Sequence, residues 1–217
     1  MASWMIHLRV AEKVLEQSSI PDEARFILGN MAPDSGVPTE NGYVPEKAVS
    51  HFRCMDETGK VRIMPERYAA QYLPCEDARA CSFHLGYWAH LLTDLAWNRV
   101  ILPDAKGRFA DLFAQDAAAF WRMVKRDWYD MDFLFLRAHP DFRAWQTYCA
   151  MTDMRNDYVD FFAETAFADR RAWIMDFYRE GAATVQDREM YLSWAALDAF
   201  VEDTAREIAR TISGMTA

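Results

Sequence analysis

The sequence predicts an all-α protein that folds as a multi-helix bundle. Apolar residues make up 52% of the 217 residues, so the chain has enough of them to build a large core. Along most of the chain these residues recur with a period near 3.6, which is typical of amphipathic helices. No Pro/Gly/Ser-rich linker, low-complexity tract or fixed repeat interrupts this pattern. We therefore predict a single domain over residues 1–217.

The helices can be bounded from local signals. The first is predicted over residues 4–17, because its apolar positions form one stripe. Ser19 and Pro21 mark a stop and a new start, so a second helix is predicted over 22–31. A long helix is expected to end at Pro103, and the last helix is clearly amphipathic. The later helices are predicted over 76–102, 108–137, 140–153, 155–166, 169–182 and 187–213.

Residues 33–64 break the helical pattern. The stretch 33–50 is dense in Pro, Gly, Asn and Ser and is predicted to be a long loop. Residues 51–64 are compatible with a small hairpin around Thr58 and Gly59, and this is the only place where we predict strands. Long loops in compact domains are commonly functional.

Charge and composition restrict the partners. Lys and Arg number 24 and Asp and Glu 33, which gives a net charge of −9 and repels DNA and anionic membranes. The N-terminus lacks the features of a signal peptide, and no run is apolar enough to span a bilayer. The four cysteines show no C-x-x-C spacing and are expected to be reduced structural thiols. These are Cys54, Cys75, Cys81 and Cys149. We expect a cytoplasmic protein without stable nucleic-acid binding.

The stretch "YWAHLLTDLAW" places His90 four residues before Asp94 in an otherwise apolar helix. Positions i and i+4 share a helix face, so the pair is either a buried hydrogen bond or half of a metal site. His84 lies about 240° around the helix from His90, at about 100° per residue, and is expected to face away. His139 precedes a proline at a helix junction, where a capping or turn role is expected.

Three more residues carry metal-binding groups. His7 lies on the apolar first helix, Asp34 opens the long loop and His51 follows it. Taken singly, His7 fits a core histidine and Asp34 fits an Asx-turn. Taken with His90 and Asp94, they form a set of nitrogen and oxygen donors that suits a borderline cation such as zinc. The donors are dispersed along the chain, so they can converge only through the fold.

The segments "WMIHLRVA", "GNMAPDSG", "VSHF" and "HLGYWAHLLTD" together resemble the zinc-dependent phospholipase C superfamily, in particular its short bacterial members. The likeness covers residues 1–98, and the remainder matches only as helices. It implies a helical bundle of the phospholipase C or single-strand nuclease type that cleaves phosphodiester bonds with zinc.

The resemblance also implies roles for individual residues. Asp34, His51, His90 and Asp94 are similar to the ligands of one zinc ion. His7 resembles the histidine that helps to hold a second ion, with Asp94 as the bridge. Zn²⁺ is therefore the expected cofactor, as one or two ions, with another divalent transition metal as the alternative.

The sequence departs from the family pattern in three places. The family's terminal Trp is internal here, as Trp4, and residues 98–102 contain no histidine. His139 is followed four residues later by Arg143 where the family has Glu. A third metal site is therefore incomplete. Asp130 or Asp132 is a candidate to complete the second site, although both otherwise fit ordinary solvated or capping residues.

The expected activity is hydrolysis of a small phosphoester. A cation held by His and Asp lowers the pKa of a bound water from about 15.7 to about 7. Asp34 is the candidate catalytic base, and Asn30 is the candidate to orient it. Two alternatives stay open: a helical protein that binds metal without catalysis, and a single-strand nuclease.

Overall fold

A computed structural model describes residues 1–40, 42–181, 185 and 190–215. Helices dominate this part of the chain, at 69% of the residues against 6% in strands, which confirms the all-α class. The helices are α1 Trp4–Gln17, α2 Glu23–Met31, α3 Lys47–Ser50, α4 Pro65–Tyr72, α5 Ala78–Arg108, α6 Ala110–Gln115, α7 Ala117–Ala138, α8 Arg143–Ala150, α9 Ala166–Gly181 and α10 Trp194–Met215. Within the described residues, no helix combines the length and the apolar character that a bilayer crossing requires, as the sequence predicts.

Three aspartates fix where the main helices begin. Asp22, Asp77 and Asp116 precede α2, α5 and α7, and each side chain accepts a hydrogen bond from a backbone N–H in the first turn. The donor–acceptor distances are 3.0, 2.8 and 2.8 Å. Such caps satisfy N–H groups that a helix leaves unpaired and stabilise it by about 1 kcal/mol each.

The backbones of α2 and α5 touch, because a glycine on each helix removes the side chain that would separate them. A Cβ atom added at Gly29 would lie 1.9 Å from the carbonyl oxygen of Phe83. One added at Gly86 would lie 1.9 Å from the carbonyl oxygen of Phe26. Close backbone approach is the main structural use of glycine inside a helix. It brings the end of α2 next to the middle of α5.

Helix α1 lies in the middle of the bundle and contacts α2, α5, α8 and α10. Its predicted apolar stripe is buried, and so is the apolar face predicted for the last helix. The buried residues of these two faces are Ile6, Val10, Val14, Leu15, Leu197, Phe200, Val201, Ile208 and Ile212. Burial of a side chain of this size contributes roughly 1.5–3 kcal/mol, so packing against α1 holds α10 in place.

The predicted hairpin is present, and a second one precedes it. Strands β3 Arg53–Met55 and β4 Val61–Ile63 pair antiparallel, and the Asp56 carboxylate accepts hydrogen bonds from the backbone of the turn. Strands β1 Val37–Thr39 and β2 Gly42–Val44 pair within the stretch predicted to be loop. All six residues of β1 and β2 are exposed, so this hairpin has no alternation of apolar and polar residues to reveal it.

Several helix boundaries differ from the predictions. Helix α5 continues past Pro103 to Arg108, because Pro103 and Arg99 lie on its exposed side and the unpaired carbonyl meets solvent. The predicted helix 108–137 is divided where Asp116 caps α7. Helices α3 and α4 were not predicted. Of the last predicted helix, residues 187–189 lie outside the described part and residues 190–193 are not helical.

Residues 155–166 were predicted to be helical and are not, except for Ala166. The Asn156 side chain explains the difference. Its amide nitrogen donates to the carbonyls of Val159 and Phe162, at 2.7 and 2.8 Å. Its amide oxygen accepts from the backbone N–H groups of Tyr158 and Val159. These bonds give the backbone a local alternative to helical hydrogen bonding.

The cysteine prediction was wrong for two of the four residues. Cys75 and Cys81 form a disulfide, with their Cα atoms 5.6 Å apart, whereas Cys54 and Cys149 are free thiols. The sequence shows only a spacing of six residues. In the fold, Cys75 lies in the turn before α5 and Cys81 lies in its first turns, which brings them together. The cysteines therefore give no support for a reducing compartment, and the cytoplasmic location stays a prediction.

Candidate metal centre

The five candidate ligands lie in one cluster at the centre of the fold. Asp94 Oδ1 is 3.4 Å from His7 Nε2, and Asp94 Oδ2 is 3.8 Å from both His51 Nε2 and His90 Nε2. Asp34 Oδ1 is 3.4 Å from His51 Nε2. The rings of His7 and His90 are stacked, with their centroids 3.7 Å apart. Four of these residues are fully buried, and the side chain of Asp34 is only 8% exposed.

Each residue reaches the cluster from a different part of the chain. His7 comes from α1, and His90 and Asp94 come from adjacent turns of α5. Asp34 ends a short 3-10 turn, Ala32–Asp34, that continues from α2. His51 follows α3, and the next residue, Phe52, adopts a left-handed φ of 47° that turns the chain into β3.

Neighbouring groups hold the rings of His51 and His90 so that the Nε2 atom of each points into the cluster. The Nδ1 atom of His90 is 2.7 Å from the backbone carbonyl oxygen of Asn30. Because a carbonyl only accepts, Nδ1 carries the proton and Nε2 carries the lone pair. The Nδ1 atom of His51 forms a hydrogen bond with the Ser50 hydroxyl at 2.9 Å, which orients this ring as well. Orientation by a hydrogen bond on the other nitrogen is typical of histidines that bind metals.

The atoms that face each other have no hydrogen-bond partner. They are buried, and they comprise His7 Nε2, His51 Nε2, His90 Nε2 and Asp94 Oδ2. A buried polar atom without a partner costs about 1–3 kcal/mol, so four of them in one place require an explanation. One or two divalent cations would give these atoms partners. The residues present therefore fit a metal site of the nitrogen and oxygen type.

The ligand atoms fall into two overlapping groups. His7, His90 and Asp94 form one group, and Asp34, His51 and His90 form the other, with the atoms of each group within 4.8 Å of one another. The two oxygens of Asp94 face different histidines, with Oδ1 toward His7 and Oδ2 toward His51 and His90. A carboxylate in this position can bridge two cations, so the set can hold one or two ions.

The protonation states favour metal binding. Burial acts to raise the pKa of Asp34, but contact with His51 and the charge of Lys47 hold this pKa well below its usual range. Burial likewise acts to raise the pKa of Asp94, but the amino group of Met1 and the His7 ring lower it overall. Burial and the neighbouring His7 lower the pKa of His90. Both carboxylates are therefore ionised and His90 is neutral at neutral pH, as metal ligands must be.

Two other histidines lie outside the cluster. His84 faces the opposite side of α5, as the helical spacing predicts, and its Nδ1 atom is 2.7 Å from the Tyr68 hydroxyl. Burial lowers its pKa to about 4. His139 is exposed at the end of α7, where its ring packs against Phe135.

The Asn30 prediction needs a correction. Its backbone carbonyl orients His90, and its side-chain nitrogen lies 3.5 Å from the carbonyl of Gly86, so its contacts are with α5 and not with Asp34. The backbone N–H of Ala2, which the sequence did not reveal as part of the site, donates to Asp94 Oδ1 at 2.8 Å. A backbone group carries no residue-specific signal, so sequence reasoning had no means of finding it.

Asp130 and Asp132 belong to neither group of ligand atoms. Asp130 Oδ2 is 3.8 Å from Arg126 on the same helix. The two oxygens of Asp132 accept hydrogen bonds from Ser3 and Tyr178, each at 2.7 Å. Asp132 thus links α7 to the start of α1 and to α9. Burial raises its pKa to about 7, although both hydrogen bonds act to lower it.

The raised pKa of Asp132 makes its effect on stability depend on pH. Above the ordinary pKa of 3.8 the unfolded chain releases this proton, whereas the folded chain keeps it up to about pH 7. The free energy of unfolding therefore falls as the pH rises through this interval, by up to about 1.4 kcal/mol per pH unit. The side chain of Asp132→Asn stays neutral. We therefore expect its free energy of unfolding to rise by about 2 kcal/mol relative to that of the wild type between pH 5 and pH 7.

Urea unfolding of both proteins at the two pH values, with chelator present, measures this difference. Asp203→Asn provides the control, because Asp203 is exposed and pairs only with Arg206 among the described residues. The prediction would be contradicted if the difference in free energy of unfolding between the Asp132 variant and the wild type did not change with pH.

A cavity of about 620 Å³ lies beside the cluster. Asp34 belongs to the cluster and also lines the cavity. Ala2 lines the cavity too, and its N–H contacts Asp94. The rest of its described lining is mainly aromatic and cationic, and it includes Trp4, which packs against Tyr129 and Trp173. The volume is in the range of cavities that hold small ligands.

Neither a protein-family model nor a curated protein nor a solved structure matches this chain. Membership of the phospholipase C superfamily therefore stays a prediction from the sequence.

Proposed function

We propose that this protein is a metal-dependent hydrolase of phosphoesters, with zinc as the expected metal and a fold of the phospholipase C and single-strand nuclease type. The observation that carries the proposal is the set of buried donor atoms without partners beside a ligand-sized cavity. His7, Asp34, His51, His90 and Asp94 would hold one or two ions. The motif resemblance in residues 1–98 independently supports the same reaction class.

The metal would supply Lewis acidity toward a phosphate oxygen and a nucleophilic water at neutral pH. Groups of the chain itself orient the ligands and attract the substrate. Ser50 orients the ring of His51 and the Asn30 carbonyl orients that of His90, so the Nε2 atoms of both rings stay directed into the site. Lys47 Nζ lies 3.7 Å from Asp34 Oδ1, where its charge can also attract the substrate phosphate. Asp34 is ionised at the edge of the cavity and is the candidate base.

Chromogenic phosphoesters test the proposal. We expect purified protein to hydrolyse at least one p-nitrophenyl phosphoester, to lose the activity with a chelator and to regain it with Zn²⁺, Mn²⁺ or Ni²⁺. Removing a metal that supplies both the nucleophile and the charge stabilisation should reduce the rate by at least about 100-fold. His84→Gln is the matched control, because this buried histidine lies on α5 outside the cluster and its loss should leave metal dependence unchanged.

The alternatives give different results. A protein that binds zinc stoichiometrically but cleaves none of the esters would be a metal-binding protein without catalysis, and the hydrolase proposal would fail. Metal-dependent cleavage of single-stranded DNA in preference to the small esters would instead identify a nuclease.

A further inference from the structure

The charge of the cavity is opposite to that of the chain. Four cationic residues line it: Lys47, Arg53, Lys125 and Arg170. Asp34 is the only carboxylate among the described lining residues, and it belongs to the donor cluster. The whole chain carries a net charge of −9. A cationic cleft in an acidic protein focuses the field locally and attracts anions to that one place.

Two of the four cations already have partners. Lys47 pairs with Asp34 and its ammonium group also lies 4.8 Å from the centre of the Tyr43 ring. Arg170 donates to the backbone carbonyl of Gly36 and lies over the Trp173 ring, 5.2 Å from its centre. These contacts fix both side chains within the cavity wall.

The other two cations, Arg53 and Lys125, differ from this pair. No carboxylate of the described residues forms an ion pair with Arg53 or Lys125. Arg53 lies in β3, two residues after His51, and Lys125 lies on α7. The two therefore reach the cavity from different elements. Together they provide more positive charge than one phosphate at the metal centre would neutralise.

A phosphodiester carries one negative charge, and the metal centre would neutralise it. Charge-assisted hydrogen bonds to an anion are roughly twice as strong as neutral ones, so Arg53 and Lys125 beside the site favour a further anionic group. A zwitterionic head group with a quaternary ammonium would be repelled by the same side chains. The aromatic part of the wall, with Trp173 49% exposed, offers a face for an apolar portion of the substrate.

We propose that this cavity selects phosphoesters that carry a second anionic group, and that Arg53 and Lys125 bind that group. The inference rests on the proposed hydrolase function for the position of the first phosphate. The shared chemistry is two anionic groups on one small molecule, and a nucleotide and a phosphorylated glycerol are both sources of it.

Kinetics on a matched pair of esters test the selection. The pair is the p-nitrophenyl ester of thymidine 5′-phosphate with and without a 3′-phosphate, which differ by one anionic group and share the leaving group. We expect the bisphosphate to have a kcat/KM about tenfold higher, and p-nitrophenyl phosphorylcholine to be the poorest substrate. In Arg53→Met and in Lys125→Met the preference should fall to about threefold or less. Lys60→Met is the control, because Lys60 is exposed in the β3–β4 turn outside the cavity, and the preference should be unchanged.

A binding measurement separates this proposal from the hydrolase proposal. Calorimetric titration of the zinc-loaded protein with thymidine 3′,5′-bisphosphate and with thymidine 5′-monophosphate needs no turnover. Tighter binding of the bisphosphate that is lost in Lys125→Met supports the selection even if no ester is cleaved. Equal binding, or equal kcat/KM for the two esters, overturns the selection even if hydrolysis is metal-dependent. Titration with glycerol bisphosphate and with glycerol monophosphate compares the two sources, and the bisphosphate that binds more tightly identifies the preferred one.

Discussion

Replacing His90 with alanine is expected to abolish metal binding at the centre of the fold. His90 is the residue that the two groups of ligand atoms share, so its loss removes a donor from both. Loss of a group that only orients a ligand weakens metal binding by about 10–100-fold, and loss of the ligand itself should exceed that. Elemental analysis after dialysis against zinc should find one or two ions in the wild type and none in the variant. Added Zn²⁺ should raise the melting temperature of the wild type only.

The control for this experiment is His84→Gln, which removes the other histidine of α5. His84 is buried like His90 but bonds to Tyr68, so its replacement tests the loss of a core histidine without touching the cluster. We expect it to retain the zinc content of the wild type. Far-ultraviolet circular dichroism shows that each variant is folded. Zinc content that is unchanged in the folded His90 variant would rule out the proposed centre.

The second large effect is expected from Gly86→Ala. The added methyl group would lie 1.9 Å from the Phe26 carbonyl oxygen and 2.9 Å from the Asn30 backbone nitrogen. Both are backbone atoms, so α2 and α5 have to separate. Overpacking of a core costs about 1–3 kcal/mol, and a clash with backbone should reach or exceed the upper value despite the higher helix propensity of alanine. The midpoint of urea unfolding measures this loss. We also expect weaker zinc binding, because the Asn30 carbonyl that orients His90 would move away.

Gly107→Ala is the matched control on the same helix. Nothing lies within 4 Å of the added methyl group, so only the backbone preference changes. We expect a gain in stability of up to about 1 kcal/mol and unchanged zinc binding. If Gly86→Ala unfolds at the same urea concentration as the wild type, the close contact of α2 and α5 is not required, and the explanation for the position of His90 fails.

The sequence was sufficient to predict the features that depend on local geometry. The period of apolar residues predicted α1 and α10, and the signals at Ser19 and Pro21 predicted α2. The spacing of four between His90 and Asp94 placed them on the same face of α5. The spacing of six put His84 on the other side. The turn signal at Thr58 and Gly59 located the β3–β4 hairpin. Each of these depends on residues within a few positions of one another.

The predictions from local sequence were wrong where contacts between distant residues, or contacts other than helical hydrogen bonds, determine the structure. The side-chain bonds of Asn156 replace helical hydrogen bonds in a segment with helical composition. Pro103 is tolerated inside α5 because it lies on the exposed side, which depends on how the helix packs. The Cys75–Cys81 disulfide depends on the turn before α5. In each case a pattern of apolar positions carries no information about the contact that determines the structure.

Helix periodicity and ligand chemistry are properties of the residues themselves, so the helical class and the residues able to bind a metal could be predicted without coordinates. That His7, Asp34 and His51 meet the pair on α5 became apparent only in the folded chain. Their approach depends on the contact of α2 and α5 at Gly29 and Gly86 and on the turn at Phe52. The cationic cavity was likewise invisible in the net charge, since its residues come from separate elements and packing alone collects them on one wall.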